Sequence, residues 1–393
     1  MPNLRFPEFE GEWEEYLLKD VAEIYKGAGI SKDQLSETGH LCILYGELYT
    51  KYKSEVISEV LSRTNIENSN LVQSKSNDVI IPSSGETAID ISTARCVPFS
   101  NILLGGDLNI IRLKEHDGRF LSYQLNGVRK LEIAKIAQGV SVVHLYGESL
   151  KRLKIKLPSI QEQKKISSLL NLIDERIATQ NRIIEDLKQL RSAITNRIIY
   201  NLVADKKLVP FSEIYQMAGE GGTPNTNNRQ YYEGGTIPFI KIDDLSSKYL
   251  TRNKDFITEI GLQKSSAWVI PANSLIYSNG ATIGAVSINT YKVVTKQGIL
   301  GIVPKSTVCV EYLYYLTTST FFKKQIHRII THGTMTTAYL KDINKIKVPL
   351  PDIEKQNNVI KGLITLSEKI EKEQEILANF LAQKKYLLHQ MFI

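Results

Sequence analysis

The chain has 393 residues, more than one ordinary hydrophobic core organises, and this length favours two domains. Hydrophobic residues make up 42% of the chain, which excludes wholesale disorder. The formal net charge is +7, from 49 basic and 42 acidic side chains. This mild excess permits a polyanionic partner without demanding one.

Cysteines and the N-terminus indicate the compartment. Cys42, Cys96 and Cys309 are far apart and lack Cys-x-x-Cys spacing, so we expect buried thiols rather than disulfides or a zinc site. Glu8 and Glu10 stand where a signal peptide would need an apolar run. No stretch approaches the roughly 20 apolar residues of a membrane span. We therefore expect a cytoplasmic protein.

Residues 1–157 are predicted to form a first β-rich domain. The segment is rich in Gly, Thr, Ser, Asn and Tyr and contains short β-branched runs, such as residues 78–81 and 109–111. Such runs between turn residues predict strands. Residues 204–350 have the same texture, with a comparable run at 274–277, and are predicted to form a second domain of this kind.

Residues 158–203 and 351–393 are each predicted to form one long helix. Their apolar residues recur at intervals of three and four over about four heptads, which is typical of a coiled-coil seam. The predicted seam residues are Leu170, Ile173, Ile177, Ile184, Leu187, Arg191 and Ile194 in the first helix, and Leu363, Leu366, Ile370, Glu373, Leu377, Phe380 and Leu387 in the second.

The two halves of the chain repeat each other at an offset of 193 residues. Leu157-Pro158 corresponds to Leu350-Pro351, and Gln163 corresponds to Gln356, immediately before or within the long helices. Weaker echoes relate the two β-rich segments, including residues 77–80 with 273–276. An internal repeat of this size predicts two copies of one structural unit.

The two helices are expected to pair with each other in antiparallel orientation. In the expected register, Arg191 meets Glu373 and Gln180 meets Lys384, whereas a parallel pair would set Arg191 against Lys384. The predicted fold class is therefore α+β. Two globular domains with β-rich cores would lie at opposite ends of a long antiparallel two-helix coiled coil, with pseudo-twofold symmetry.

The repeated Leu-Pro-x-Ile-x-x-Gln motif before each long helix resembles the specificity subunits of type I restriction-modification systems, over essentially the whole chain. The second β-rich segment also resembles the N-terminal part of their target-recognition domains, whereas the first segment keeps only a few residues of that pattern. The residues that carry this second likeness are Gly221, Gly222, Thr223, Pro224, Tyr231, Gly234, Gly235, Ile237, Pro238, Phe239, Ile240, Asp243, Asp244 and Leu245.

The resemblance implies a non-catalytic DNA-binding subunit. Each domain would read one half of a split site in double-stranded DNA, and the helices would fix the unread spacer and dock modification subunits, two of them in our interpretation. The resemblance implies no cofactor in this chain. S-adenosylmethionine, and ATP with Mg, would be held by the modification and restriction subunits.

Polar loops between the predicted strands are the candidate DNA contacts, although a Ser or Asn in a loop more often caps a turn. The candidates are Lys26, Lys32, Ser83, Ser84, Gln138, Ser141 and His144 in the first domain, and Thr223, Asn225, Arg229, Lys241, Asn279, Thr282, His332, Thr334 and Thr336 in the second. His144 and His332 lack nearby Cys or carboxylate ligands at metal-binding spacing, so we predict no metal site.

Catalytic signatures are absent from the sequence, which has neither a Walker A loop for ATP nor an amino-methyltransferase Asn-Pro-Pro-Tyr-like run. We therefore predict no catalytic residues. Two alternatives remain open. A coiled-coil scaffold for protein partners would show no salt-dependent affinity for DNA, and an enzyme with an unfamiliar site would show turnover by the isolated chain.

Overall fold

The computed structural model describes residues 2–67, 70–205, 207–331 and 336–393. The chain divides into two compact units: Met1–Arg182 with Gln374–Ile393 form the first, and Ile183–Glu373 form the second. This division differs from the predicted segments 1–157, 158–203, 204–350 and 351–393, because each long helix contributes residues to both units.

The first unit contains thirteen strands and six short α-helices in its described residues, followed by the first part of a long helix. The strands are β1 (Glu14–Leu17), β2 (Ala22–Lys26), β3 (Leu35–Ser36), β4 (His40–Ile43), β5 (Ser62–Thr64), β6 (Val72–Gln73), β7 (Asp78–Pro82), β8 (Ser84–Gly85), β9 (Arg95–Val97), β10 (Leu103–Leu104), β11 (Leu108–Leu113), β12 (Val143–His144) and β13 (Lys154–Leu157). The helices are α1 (Leu18–Val21), α2 (Glu47–Thr50), α3 (Ala88–Ile91), α4 (Gly118–Asn126), α5 (Lys130–Ile136), α6 (Gly147–Lys151) and the long α7 (Ile160–Ala204).

The second unit follows the same plan. Its strands are β14 (Leu208–Pro210), β15 (Tyr215–Glu220), β16 (Ile237–Ile240), β17 (Tyr249–Leu250), β18 (Asp255–Ile257), β19 (Leu275–Ser278), β20 (Val286–Asn289), β21 (Val294–Thr295), β22 (Ile299–Pro304) and β23 (Lys347–Pro349). Its helices are α8 (Glu259–Gln263), α9 (Val310–Thr318), α10 (Thr320–Ile329), α11 (Leu340–Ile343) and the long α12 (Ile353–Gln390).

The strand order of the main sheet is repeated between the units. The first unit has the antiparallel order β2-β11-β7-β9, and the second has β15-β22-β19-β20 with β17 added at the edge. In a second sheet of each unit, β4 pairs with β5 and β10 as β16 pairs with β18 and β21. Asn77 and Asn273 both have positive φ, of 79° and 60°, just before β7 and β19. The α+β class with two β-rich domains is confirmed.

The Leu-Pro motif also has the same structure in both units. Gln163 is fully buried, and its amide donates to the Pro158 carbonyl at 2.8 Å while its oxygen accepts from the Asp117 N–H at 3.1 Å. Gln356 makes the equivalent bonds to the Pro351 carbonyl and the Cys309 N–H, both at 2.8 Å. Asp117 and Cys309 are the N-caps of α4 and α9. Each glutamine oxygen thus accepts a hydrogen bond from the backbone N–H at the start of a buried helix.

Each unit includes an antiparallel contact between the two long helices. In the second unit, Arg191 donates to Ser367 at 3.1 Å, and Ile199 shares a core with Leu363. In the first unit, Lys384 forms an ion pair with Asp174, and the chain's last residues share a core with the start of α7. Increasing residue numbers on α7 therefore meet decreasing numbers on α12.

The helix register differs from the predicted one. Arg191 contacts Ser367 rather than Glu373, and Lys384 contacts Asp174 rather than Gln180, so each partner lies six positions earlier in the chain than expected. The reason is that Lys384 also binds Glu55 of the first β-rich domain. Buried contacts between helix and domain fix the register, and these contacts are not visible in a heptad pattern.

The predicted seam residues are mostly shielded from solvent. The buried ones are Leu170, Ile173, Ile184, Leu363, Ile370, Glu373 and Leu387, and the half-buried ones are Ile177, Leu187, Arg191, Leu366, Leu377 and Phe380. Ile194 is the exception. It is 37% exposed, and the neighbouring Thr195, 4% exposed, takes the inward position because its hydroxyl can donate to the Arg191 carbonyl.

Candidate nucleic-acid interface

Several loops of the first unit meet at one edge of its main sheet. β2 ends at Lys26, β7 ends at Pro82 and β11 begins at Leu108, and the strand register places these three positions side by side. We call the loop residues 27–31, 83–87 and 105–107, with the hairpin 138–144, the first loop edge. Here antiparallel strands expose their turns, where binding residues are commonly found.

Backbone contacts hold the first loop edge together. The Gly27 N–H donates to the Leu108 carbonyl at 3.0 Å, and the Ser83 N–H donates to the Asp107 carbonyl at 2.7 Å. A Cβ atom on Gly27 would lie 2.0 Å from the Gly105 oxygen, so only glycine permits this approach. These contacts make the edge a fixed surface from which side chains can project.

Five of the seven candidates in the first unit have accessible or partly accessible side chains. Lys26 and Lys32 are exposed, and Ser141 is exposed near the hairpin tip. Gln138 and His144 pair across the hairpin through two backbone hydrogen bonds of 2.9 and 2.7 Å. The His144 ring stacks on Tyr146 with a centroid distance of 6.1 Å.

Ser83 and Ser84 are corrections to the sequence prediction. Both are buried, at 5% and 8% exposure. Ser84 belongs to β8, which pairs with β12 of the hairpin, and the Ser83 carbonyl accepts from the Leu145 N–H. The sequence suggested a free loop, whereas this segment is a strand covered by a distant part of the chain.

The second unit assembles an equivalent edge. β15 ends at Glu220, β19 ends at Ser278 and β22 begins at Ile299. We call residues 221–223, 279–285, 296–298 and the described parts of 331–337 the second loop edge. The Gly221 N–H donates to the Ile299 carbonyl at 2.9 Å, and the Asn279 N–H donates to the Gly298 carbonyl at 3.0 Å.

The second loop edge includes some of the candidates and not others. Thr282 is exposed, while Thr223 and Thr336 are half-buried. Asn225 caps its own turn by accepting from the Asn227 N–H at 3.0 Å, as loop asparagines commonly do. His332 and Thr334 lie outside the residues that the structure describes.

Arg229 lies on the β15–β16 connection and Lys241 directly follows β16, so neither lies on the second loop edge itself. Arg229 is exposed and lies 3.8 Å from Glu233, and Lys241 forms a 2.8 Å ion pair with Asp255. Both ion pairs are solvent-accessible and weak, so neither prevents a phosphate contact.

Asn279 is a further correction. Its side chain is fully buried and donates to the Ala338 carbonyl at 3.2 Å. The Asn279 carbonyl in turn accepts from the Ala338 N–H at 2.8 Å. Asn279 therefore ties the end of β19 to the chain that follows the 331–337 segment, and it positions the loop edge rather than facing solvent.

Sequence reasoning missed the exposed pair Lys296 and Gln297 on the second loop edge. They precede β22 as Gly105 and Gly106 precede β11, and Asp107 and Gly298 end the two loops with positive φ of 58° and 84°. Extending the internal alignment to β11 and β22 could have revealed them. The first edge instead exposes apolar Val140, at 95% exposure.

Three other features of the described residues bear on the sequence predictions. No group of three or more His, Cys, Asp or Glu side chains in the described part of the chain is placed to hold a metal ion. None of its helices has the length and apolar character that crossing a bilayer requires. The cysteines are free, and burial raises the pKa of Cys42 to about 11.

A family model, described as the type I restriction modification DNA specificity domain, matches the chain twice, over residues 10–189 and 204–379. The chain belongs to this specificity family. The two matches agree with the duplicated units of the structure. The predictions of a specificity subunit, and of a chain that is not itself an enzyme, are confirmed by this membership.

Individual relatives agree with this assignment. The specificity chain is 23% identical to the type I restriction enzyme MjaVIII specificity subunit of Methanocaldococcus jannaschii over 412 aligned residues, which cover 98% of this chain and 93% of the relative. It is 31% identical over 171 residues to the MjaIX specificity subunit of the same organism. That alignment covers 42% of this chain and only 39% of the relative.

The fold of the specificity chain is shared with solved structures. The crystal structure of a type I restriction-modification S subunit from M. genitalium superposes with a TM-score of 0.62 at 18% identity, covering 100% of this chain and 99% of that one. A structure from work on complex assembly and conformational transition of the type I system gives 0.59 at 15% identity, covering 97% of both chains.

Proposed function

We propose that this chain selects the DNA sequence on which a type I restriction-modification enzyme acts, and that each loop edge reads one half of a split site. The observation that supports this most directly is the duplication. One sheet order and one loop arrangement occur twice, while the side chains they present differ. Two reading surfaces of common design but different chemistry suit a site with two unlike halves.

The chemistry of the loop edges fits base reading. Lysine donates to guanine acceptors, and glutamine pairs with the adenine edge in the major groove. The first edge offers Gln138 and His144, with Lys26 beside it at the end of β2, and the second offers Lys296 and Gln297. Exposed lysines nearby, such as Lys32, would bind backbone phosphates and fix orientation without carrying sequence information.

The two edges should prefer different half-sites. The loop before β11 is Gly105-Gly106-Asp107, with a carboxylate that can accept from the cytosine amino group. The equivalent loop before β22 is Lys296-Gln297-Gly298, which offers an ammonium donor and an amide that both donates and accepts. The same backbone arrangement therefore presents different hydrogen-bonding groups in the two units.

We further propose that the long helices set the spacer and dock modification subunits, one for each copy of the repeat. A stripe of exposed apolar side chains on α7, Ile183, Leu190 and Ile194, supports docking, because such spacing places them on one helix face. S-adenosylmethionine would then be held by the modification subunits, and ATP with Mg by the restriction subunits.

Methylation mapping tests the proposed function. The chain is co-expressed with its modification subunit, and methylated adenines are located across a host genome. We expect one split motif. The double variant K296A/Q297A should relax or change only one half of that motif, whereas the control K292A, an exposed lysine away from the loop edge, should leave both halves intact. Random or absent methylation with the unaltered chain contradicts the proposal.

A further inference from the structure

A buried tyrosine contacts the long helices at equivalent places in the two units. In the first unit, the Tyr123 hydroxyl donates to Asp174 at 2.7 Å, and Lys384 binds Asp174. In the second unit, the Tyr315 hydroxyl contacts the Ser367 hydroxyl at 3.0 Å, and Arg191 donates to Ser367. Asp174 and Ser367 are related by the 193-residue offset of the repeat, as are Arg191 and Lys384.

The charges around these equivalent cations differ. Lys384 is neutralised by two carboxylates, Asp174 and Glu55. In the second unit the position of Asp174 is taken by Ser367, and the position of Glu55 is taken by Lys248 at the same offset. Lys248 is itself paired with Glu311. Within the described residues, Arg191 therefore has a hydroxyl partner where its counterpart has two anions.

A polar pocket of about 200 Å³ in the second unit opens beside Arg191. Its lining includes Lys188, Arg191 and Lys323, together with Ser192, Asn196 and Tyr314, and no carboxylate. Lys188 and Lys323 are exposed and form no ion pair in the part of the chain that the structure describes. Three positive charges thus face a space that contains no negative group.

The side chains that line the pocket also offer mainly hydrogen-bond donors. The Asn196 oxygen accepts from both the N–H and the hydroxyl of Thr320, at 2.8 and 2.9 Å, which leaves the Asn196 amide N–H groups for another acceptor. The guanidinium of Arg191 has five N–H donors, and the bond to Ser367 uses one of them. Such a set of donors matches an acceptor-only, multiply charged ligand.

The equivalent pocket of the first unit has a different character. Lys188 and Thr195 of the second unit correspond to Leu381 and Leu388, which with Val128 and Phe392 form an apolar part of the lining. Lys384, Lys385 and His389 also line this pocket, but Lys384 is paired with Asp174 and Glu55. The second unit therefore differs in that its central cation, Arg191, has no carboxylate partner among the described residues.

We propose that the pocket lined by Lys188, Arg191 and Lys323 is a binding site for a phosphate-class oxyanion. A phosphate carries up to two charges and several acceptor oxygens, so it can neutralise the three cations and accept their donors together. This inference stands apart from the proposed reading function, because no pocket residue belongs to either loop edge.

The first experiment titrates the full chain, in complex with its modification subunit if that is needed for solubility, with inorganic phosphate followed by calorimetry. Sodium chloride keeps the ionic strength constant during the titration, because a change in ionic strength would by itself alter the screening of surface charges. We expect saturable binding. Affinity should fall about tenfold or more in R191Q and K323Q, since each removes a charge-assisted hydrogen bond.

The controls separate the pocket from general charge. K324Q removes the neighbouring exposed lysine, which does not line the pocket, and should bind phosphate like the unaltered chain. Lys323 lies at the surface, so an effect of K323Q on phosphate affinity does not come from a change in the fold. Equal phosphate affinity in all variants would overturn the proposal, as would an equal response to acetate at the same ionic strength.

A second arm identifies the source of the phosphate. The affinity of the chain for a duplex of unrelated sequence is measured against salt, with and without K323Q. A slope reduced by about one indicates that the pocket takes a DNA backbone phosphate. An unchanged slope, with phosphate binding lost in K323Q, indicates a free phosphate or nucleotide. Either result supports an oxyanion site.

Discussion

Lys384 links α12 to the first β-rich domain through buried ion pairs. Its ammonium group lies among Asp174, Glu55 and the Tyr123 ring, and all three side chains are largely buried. Burial, and next the charge of Glu55, raise the pKa of Asp174 above its ordinary value of 3.8. Lys384 compensates for placing two carboxylates together in a poorly solvated site.

Replacing Lys384 with methionine should destabilise the first unit by about 3–5 kcal/mol, because it leaves two buried carboxylates without their cation. In K384M the folded-state pKa of Asp174 would rise further above its unfolded value. The loss of unfolding free energy in K384M should therefore become smaller as pH is lowered through that raised pKa. Denaturant unfolding at two pH values measures both effects. K385M, at an exposed position, is the control, and a deficit of equal size there would contradict the argument.

His116 gives the first unit a separate dependence on pH. Burial lowers its pKa below the ordinary value of 6.5. The Gln163 amide lies 3.1 Å from Nδ1 and also donates to the Pro158 carbonyl, which favours a neutral ring as acceptor. Between the lowered pKa and pH 6.5, the unfolded chain binds more protons than the folded one. The free energy of unfolding should fall over that window as pH drops.

The variant H116Q tests this dependence. Its unfolding free energy should lose the part of the pH slope below 6.5 that His116 contributes. H389Q, which changes an exposed histidine on α12, should keep the slope of the unaltered chain. Denaturant titrations between pH 5 and 7.5 provide the measurement, and an unchanged slope in H116Q would count against a neutral, half-buried ring.

At the scale of elements, heptad spacing identified the long helices but not every inward residue. Period and composition predict which face is apolar, and the structure buries most of that face. The pattern fails at Ile194, where Thr195 is buried instead. A hydroxyl can occupy an inward helix position when it donates to a backbone carbonyl one turn earlier, and hydrophobicity alone does not show this.

Two matched substitutions on α7 distinguish the buried from the exposed face. I184A should lower the unfolding free energy by about 2–4 kcal/mol, because Ile184 is only 5% exposed and its removal leaves a cavity. I194A should cost less than about 1 kcal/mol, since Ile194 is already in contact with solvent. Denaturant midpoints of the two variants give the comparison. Similar losses of unfolding free energy in the two variants would indicate that Ile194 is a buried seam residue.

At the scale of the whole molecule, the proposed function requires two loop edges that read DNA and that the long helices connect. α7 has 45 residues and would be about 68 Å long as a regular helix. One inserted turn adds about 5.4 Å, which corresponds to one or two base pairs of DNA. The helices therefore offer a way to change the spacer without touching the loops that read bases.

Inserting four residues into both α7 and α12, between positions 182 and 183 and between 373 and 374, should lengthen the spacer by about one or two base pairs. Both half-sites should keep their sequences, and methylation mapping of the co-expressed complex would show this directly. Insertion into α12 alone should abolish methylation, because it breaks the register that Lys384 and Arg191 fix. An unchanged spacer length in the double insertion would contradict the proposal that the long helices set the spacer.

The sequence by itself determined the duplication, the strands with β-branched runs, the two long helices and, through the repeated Leu-Pro motif, the family. These features depend on local patterns of two, three or four residues and on one constant offset. Only the tertiary structure decided that Ser83, Ser84 and Asn279 are buried, that Lys296 and Gln297 are exposed at a loop edge, and that the helices pair six positions from the expected register. Burial and register depend on contacts between residues far apart in the chain, such as Lys384 with Glu55, and no local pattern encodes them.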